Sequence, residues 1–364
     1  MRVLVREFLP FLTEKIIKSM VKHEIRVENF SDWHKVRNDD WVIFSEEDKT
    51  FKKNCGYKCC SIERIRRDTQ KLLYYKMQFD YDRIYLRRNL ELCRNSNIDT
   101  IVLGNSYMQF GVNAENVRGM VNLALQSQDL YYNYLLFKRC MIHRSVKKVI
   151  IGMPYYYMFS DLSFADSNEL QRINNVYYPI FNDLHNSILL WGGRTVNFSN
   201  ILDVGKIAND FIEKLSCKSY FNTHRTREEL RVEIWADKRK RWQDLSDDEK
   251  YVCGKYRAES HNKILRYAYT FSENLDILVR MIDQMKYNKV DFLFIAPPVS
   301  NYYAMYIDKR FKMYTYEIVN TLNISEKFID LWQDKRFIND DFVDTDHLNK
   351  RGAEKFTRII LEKI

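Results

Sequence analysis

The stretch Thr100-Ile101-Val102-Leu103-Gly104-Asn105-Ser106 constrains this chain more than any other. Its first four residues form an apolar run with β-branched members, which suits a strand buried on both faces of a parallel sheet. Gly104-Asn105 then supplies a tight turn, because both residue types tolerate backbone angles that others avoid. A serine in that place stands at the carboxyl end of a strand and at the start of a helix. Open α/β sheets hold their ligands in that crevice, and the free amides of a helix N-terminus favour an oxyanion there. The competing reading is an ordinary strand–turn–helix junction in which Ser106 or Asn105 is only a cap.

The far end of the chain bears on that choice. It reads Asp341-Phe342-Val343-Asp344-Thr345-Asp346-His347-Leu348-Asn349-Lys350-Arg351-Gly352-Ala353, followed by an amphipathic helix to Ile364. A carboxylate three residues before a histidine can accept its Nδ1 proton and leave Nε2 free as a base. A serine hydroxyl needs such a base to act as a nucleophile. Asp346 is the rival partner for His347, but its place directly beside the histidine points it elsewhere in most loop geometries. Asp344 is therefore the expected orienting carboxylate.

With these residues the chain resembles the SGNH (GDSL-like) hydrolase superfamily. Gly104-Asn105-Ser106 is similar to the Gly-Asp-Ser nucleophile block, and Asp344-x-x-His347-Leu348-Asn349-x-x-Gly352-Ala353 resembles the last block. The resemblance covers residues 97–152 and 286–364. It implies a flavodoxin-like three-layer α/β/α fold with a central parallel sheet, and acyl-ester chemistry carried by Ser106, Asp344 and His347. It also implies an oxyanion hole completed by a glycine of the second block and an asparagine of the third. Both of those blocks diverge. Residues 120–129 contain no glycine, and Gly152-Met153-Pro154-Tyr155 stands where Gly-x-Asn-Asp is expected. The expected oxyanion donors are then the amides of Ser106 and of Ser127 or Gln128, with a phenol from Tyr155 to Tyr157 as a substitute. A lost oxyanion donor costs about a hundred- to a thousandfold in rate.

Between these blocks the chain alternates strand and helix patterns. Strands are expected at 99–103, 120–125, 147–151, 290–296 and 327–331, and helices at 128–142 and 273–286. Sequential strands joined by helices call for a doubly wound parallel sheet. The core is accordingly placed at 98–152 and 271–364. Residues 1–97 read as a mostly helical extension, beginning with an amphipathic helix over 1–24 that packs on protein or lies on an anionic membrane. Residues 153–270 break the α/β rhythm and are too long for an unstructured loop. They read as a helical insertion or lid over Ser106, with a basic cluster at Lys238-Arg239-Lys240-Arg241.

Composition narrows the remaining classes. Only 10 Gly and 5 Pro in 364 residues argue for helix-rich connections. The seven cysteines lack paired metal-ligand spacing, and Cys55 to Cys60 with His34 make a thin metal case, so reduced thiols in a cytoplasmic protein are the reading. The N-terminus has no uninterrupted signal-peptide core, and no apolar run reaches the roughly 18 residues of a membrane span. The formal net charge of +9 favours anionic partners. No nucleic-acid module accompanies it, and neither a Walker loop nor a G-x-G-x-x-G fingerprint appears, so no cofactor and no metal is expected. The functional reading is a serine esterase or O-acyltransferase acting on acyl esters, acetyl among them, of a carbohydrate or other hydroxyl-bearing substrate. The aromatic residues of 153–270 suit packing a core, the default, or stacking on a sugar. The alternative is a non-catalytic SGNH-fold protein that binds a partner or glycan in a polysaccharide-assembly or defence complex.

Overall fold

A computed structural model describes residues 82–187 and 241–364, apart from positions 95, 96, 143, 144 and 166. Among the first 81 residues it describes four short strands and a few neighbouring positions. The chain divides into two compact units, Met1–Tyr81 with Leu189–Ala236, and Asp82–Ile188 with Asp237–Ile364.

In the first unit, β1 (Arg2–Val5), β2 (Arg26–Asn29), β3 (Trp41–Phe44) and β4 (Lys58–Ser61) form a parallel sheet in the order β2-β1-β3-β4. This corrects the amphipathic helix expected over 1–24 at its first residues, while most of residues 1–81 lies outside the described residues. Val3-Leu4-Val5 belongs to a strand, and Leu4 and Val42 are buried on neighbouring strands. The helical reading of 1–24 averaged this short β-branched run into a longer apolar periodicity, although strands of four residues are too short to show a period of their own. The rest of that expected helix, and the side chains of Cys55, Cys59 and Cys60, lie outside the described residues.

The second unit is built on a five-stranded parallel sheet of β5 (Thr100–Leu103), β6 (Met120–Asn122), β7 (Lys148–Gly152), β8 (Asp291–Ala296) and β9 (Phe328–Asp330). Its order is β6-β5-β7-β8-β9. The first strand of the unit thus has the second on one side and the third, fourth and fifth on the other, which is the flavodoxin-like arrangement. Strands β5 to β8 are buried almost throughout, as their apolar runs require.

Helices cover both faces to give three layers. They are α1 (82–92), α2 (Ser106–Gly111), α3 (Leu130–Met141), α4 (Asp247–Asn262), α5 (Ala268–Tyr287), α6 (Lys309–Thr321) and α7 (Lys350–Leu361). α5 packs on α3, and α7 on α2. The buried stripe of α7, Gly352, Ala353, Phe356, Thr357, Ile359 and Ile360, has the spacing of one helical face. Asn349 caps α7, its Oδ1 accepting from the Gly352 amide at 3.1 Å.

The division of the chain differs from the expected 153–270 insertion. Both flanks of that stretch belong to the unit that contains the sheet. Tyr155 stacks on Trp332 at 4.5 Å, Trp242 is buried in the apolar core, and Asn274 Nδ2 on α5 donates to the Met158 and Ser160 carbonyls at 3.0 Å. Residues 188–240, with the Lys238-to-Lys240 part of the basic cluster, lie outside the described residues. Among the described residues no helix is long and apolar enough to cross a membrane.

Candidate active site

The switch point of a sheet with this strand order lies between β5 and β7, where the following helices diverge to opposite faces. Ser106 follows β5 at that point and opens α2. Gly104 holds φ at +140°, and a Cβ there would lie 2.5 Å from Met108 Cγ; one on Gly152 would lie 2.1 Å from the same atom. The turn that presents Ser106 therefore needs glycine on both strands, one of them for conformation and both for space. Asn105 caps α2 by accepting from the Tyr107 amide at 3.2 Å. Ser106 is the first residue of the helix, so its own amide has no carbonyl one turn back.

His347 arrives from the opposite end of the chain. Its Nε2 stands 2.8 Å from Ser106 Oγ, and its Nδ1 lies 2.9 Å from Asp344 Oδ2. Asp344 Oδ1 also accepts from the backbone amides of Asp346 at 3.0 Å and His347 at 2.8 Å, so one carboxylate both shapes the loop and holds the imidazole. With Nδ1–H donated to Asp344, Nε2 carries the lone pair that faces the serine hydroxyl. Tyr107 stacks on the His347 ring at 5.4 Å and Phe110 meets it edge-on at 5.5 Å, which limits ring rotation.

Asp346 has a different place. Its Oδ1 is 3.7 Å from His347 Nδ1, beyond hydrogen-bonding distance. Its Oδ2 accepts from the Tyr107 hydroxyl at 2.7 Å and from Arg257 Nε at 2.9 Å. Asp346 is 2% exposed where Asp344 is 50% exposed, so the nearer partner of the histidine is the more solvated one. Burial alone would raise the Asp346 carboxyl, but above all the charge of Arg257, with that of His347, outweighs it and holds it well below the usual carboxylate range. Burial would lower the His347 imidazolium, and the charges of Asp344 and Asp346 reverse that, leaving it above its ordinary value. His261 is pushed down by burial and by Arg257, so it is neutral at pH 7, and its Nδ1 meets the Tyr303 hydroxyl at 2.5 Å.

The oxyanion side departs from expectation at Gln128. Its amide donates to the Leu125 carbonyl at 3.1 Å and is occupied by the turn. Its side-chain Nε2 donates to the Gly104 carbonyl at 2.9 Å and to Asn133 Oδ1 at 2.7 Å, while Asn133 Oδ1 accepts from the Gly104 amide at 2.8 Å. Gln128 and Asn133 thus pin the turn that carries Ser106 from behind. Ser127 adopts φ +57°, the left-handed conformation that glycine takes most readily. The backbone shape usual for glycine is therefore present without the residue. Of the three tyrosine phenols, Tyr155 donates to Asp330 at 2.5 Å and Tyr157 bonds to Asn133 and the Gln128 carbonyl. Only Tyr156 faces the nucleophile turn, accepting from Asn105 Nδ2 at 3.3 Å.

Several residues of this network carry no sequence signal. Tyr107 and Asp346 are separated by 239 positions, and Arg257 sits in a helix expected to be part of a separate insertion. Asn122, at the end of β6, donates to the carbonyls of Met108 and Val112 at 2.9 and 3.1 Å and secures the helix that carries Ser106.

No family model and no curated protein matches the sequence. Solved structures that resemble the chain include a candidate platelet activating factor from Streptococcus pneumonia, at 9% identity and a TM-score of 0.38 over 80% of this chain and 96% of that one. A candidate acylhydrolase from Bacteroides fragilis matches at 11% identity and 0.34, over 76% and 93%. A candidate lipolytic protein of the G-D-S-L family from Desulfitobacterium hafniense matches at 10% identity and 0.32, over 74% and 100%. The chain is an α/β protein with a flavodoxin-like strand order. Scores this low carry no argument about chemistry, so the function is read from the side chains.

Proposed function

We propose that the protein is a serine esterase or O-acyltransferase that works through an acyl-serine intermediate. The observation that carries this is the unbroken relay from Ser106 Oγ to His347 Nε2 at 2.8 Å and from His347 Nδ1 to Asp344 at 2.9 Å. Ser106 Oγ attacks the ester carbonyl carbon while its proton passes to Nε2. The imidazolium then protonates the departing alkoxide, leaving the acyl group on Ser106. Water or an acceptor hydroxyl enters next, gives its proton to His347 and takes the acyl group, and that proton returns to Ser106 Oγ. Asp344 keeps the tautomer and stabilises the imidazolium. The oxyanion donors in this reading are the amides of Ser106 and Ser127.

The substrate we infer is an acyl ester of a carbohydrate or another hydroxyl-bearing molecule, with acetyl as the simplest acyl group. Treatment with a fluorophosphonate followed by intact mass tests the reading. One adduct on the natural protein, absent from Ser106→Ala and His347→Ala, is expected. No adduct under conditions that label a control esterase would overturn it and leave the fold as a binding scaffold. Acyl transfer is then separated from hydrolysis by whether p-nitrophenyl acetate yields acetylated sugar or free acetate.

A further inference from the structure

We propose that Asp129, Asp161 and His185 form a site for one divalent transition cation of the zinc or manganese class, separate from the serine site. Each offers one ligand atom, and the three atoms lie within 4.8 Å of one another. They come from three different loops: Asp129 caps α3, Asp161 follows β7 and its succeeding turns, and His185 lies in the segment after residue 181.

His185 Nδ1 is a buried nitrogen with no hydrogen-bond partner, on a side chain 8% exposed. Its other nitrogen, Nε2, is 3.4 Å from both Glu273 Oε1 and Asn186 Nδ2, and in the tautomer with the proton on Nε2 the lone pair of Nδ1 is left for the cluster. A carboxylate behind a ligating imidazole is the usual outer support of a metal-bound histidine. Tyr131 stacks on the imidazole at 3.8 Å and 6°, and fixes its plane.

The gap in front of Nδ1 has the size of a shared cation. Asp161 Oδ1 is 3.9 Å away, too far for a direct hydrogen bond. Two ligands bound to one ion at about 2.0–2.2 Å each stand about 3 to 4 Å apart. The carboxylates are otherwise held from outside. Asp129 accepts from the amides of Tyr132 at 3.0 Å and Leu162 at 2.9 Å, and Asp161 from the Ser163 amide at 2.7 Å and Asn186 Nδ2 at 2.9 Å. Asn186 Nδ2 also donates to Glu273 at 2.8 Å, which ties the outer carboxylate to the same loop. One imidazole and two carboxylates suit zinc or manganese, whereas magnesium and calcium prefer oxygen ligands throughout. Three protein ligands leave a position for water. The bound ion would brace the loop that begins at Ser127.

The test uses the full chain, stripped with a chelator and then exposed to zinc chloride or manganese chloride. Bound metal is counted by native mass spectrometry and stability followed by thermal melting. We expect one equivalent of either ion and a rise of several degrees in Tm. His185→Gln and Asp161→Asn should lose that equivalent, and Glu273→Gln should weaken binding about 10- to 100-fold. His347→Ala should retain it, which excludes the Asp344, Asp346 and His347 cluster as the source. Absence of binding to the natural chain would overturn the proposal. Equal binding by His185→Gln and Asp161→Asn would overturn it as well.

Discussion

Tyr107 donates its hydroxyl proton to Asp346 at 2.7 Å, and these two residues are the sequence neighbours of Ser106 and His347. The residue after the nucleophile is thereby tied to the residue before the base. Two adjacent hydrogen bonds, Ser106 to His347 and Tyr107 to Asp346, join the loop after β5 to the loop before α7. Arg257 closes the arrangement by balancing the Asp346 charge. The serine site thus rests on a buried polar network whose members do not all take part in proton transfer.

Tyr107→Phe removes a hydrogen bond to a buried carboxylate and keeps the ring that stacks on His347. A bond of that kind contributes about 1.5–3 kcal/mol. Urea unfolding should show a loss in that range, accompanied by slower phosphonylation of Ser106. A loss under about 0.5 kcal/mol would mean that solvent replaces the phenol.

Asp344 and Asp346 divide the work of the loop, and their asparagine variants should separate it. Asp344→Asn leaves His347 in the wrong tautomer, so phosphonylation should fall by about 10³ to 10⁴. Asp346→Asn should reduce the rate far less and stability more, because it leaves Arg257 without its carboxylate. The opposite ranking of the two rates would make Asp346 the orienting residue.

The pH dependence follows from His347. Its folded value lies above the ordinary 6.5, so the protonated form is favoured in the native state. That contribution to stability is complete below the unfolded value and is lost as pH rises through the folded one. The reactive form is the neutral one, so phosphonylation should increase with pH through a midpoint above 6.5. Asp344→Asn removes the largest charge that raises the value and should shift the midpoint down. A midpoint below 6.5 in the natural protein would contradict the electrostatics described above.

Away from the site, Arg172 and Asp82 meet at 2.8 Å with side chains 1% and 0% exposed. Arg172→Met deprives a buried carboxylate of this cation and should cost about 3–5 kcal/mol. The double variant with Asp82→Leu should recover most of that loss, since both charges of the pair are then removed. Chemical denaturation of the three variants measures the difference.

The strands of the second unit were legible because each is an apolar run that must be buried. Thr100–Leu103 and Asp291–Ala296 lie within a residue of their expected positions, while β6 ends at Asn122, three residues short of the expected strand. The strands of the first unit were not, because four residues such as Arg2–Val5 carry too little pattern to outweigh a neighbouring helical periodicity. Gln128 was misjudged for a local reason. Sequence placed it in the right loop, but whether an amide is free depends on which carbonyl the turn brings within reach.

Sequence alone determined the strand–turn–serine junction, the Asp344-x-x-His347 spacing and the alternation that calls for a doubly wound sheet. All three are local, written in residues within one turn or one strand of each other. Only the tertiary structure decided that Tyr107 meets Asp346, that Arg257 joins them, and that Asp129, Asp161 and His185 converge. Those contacts depend on which loops the strand order places side by side, and a linear pattern carries no such distance.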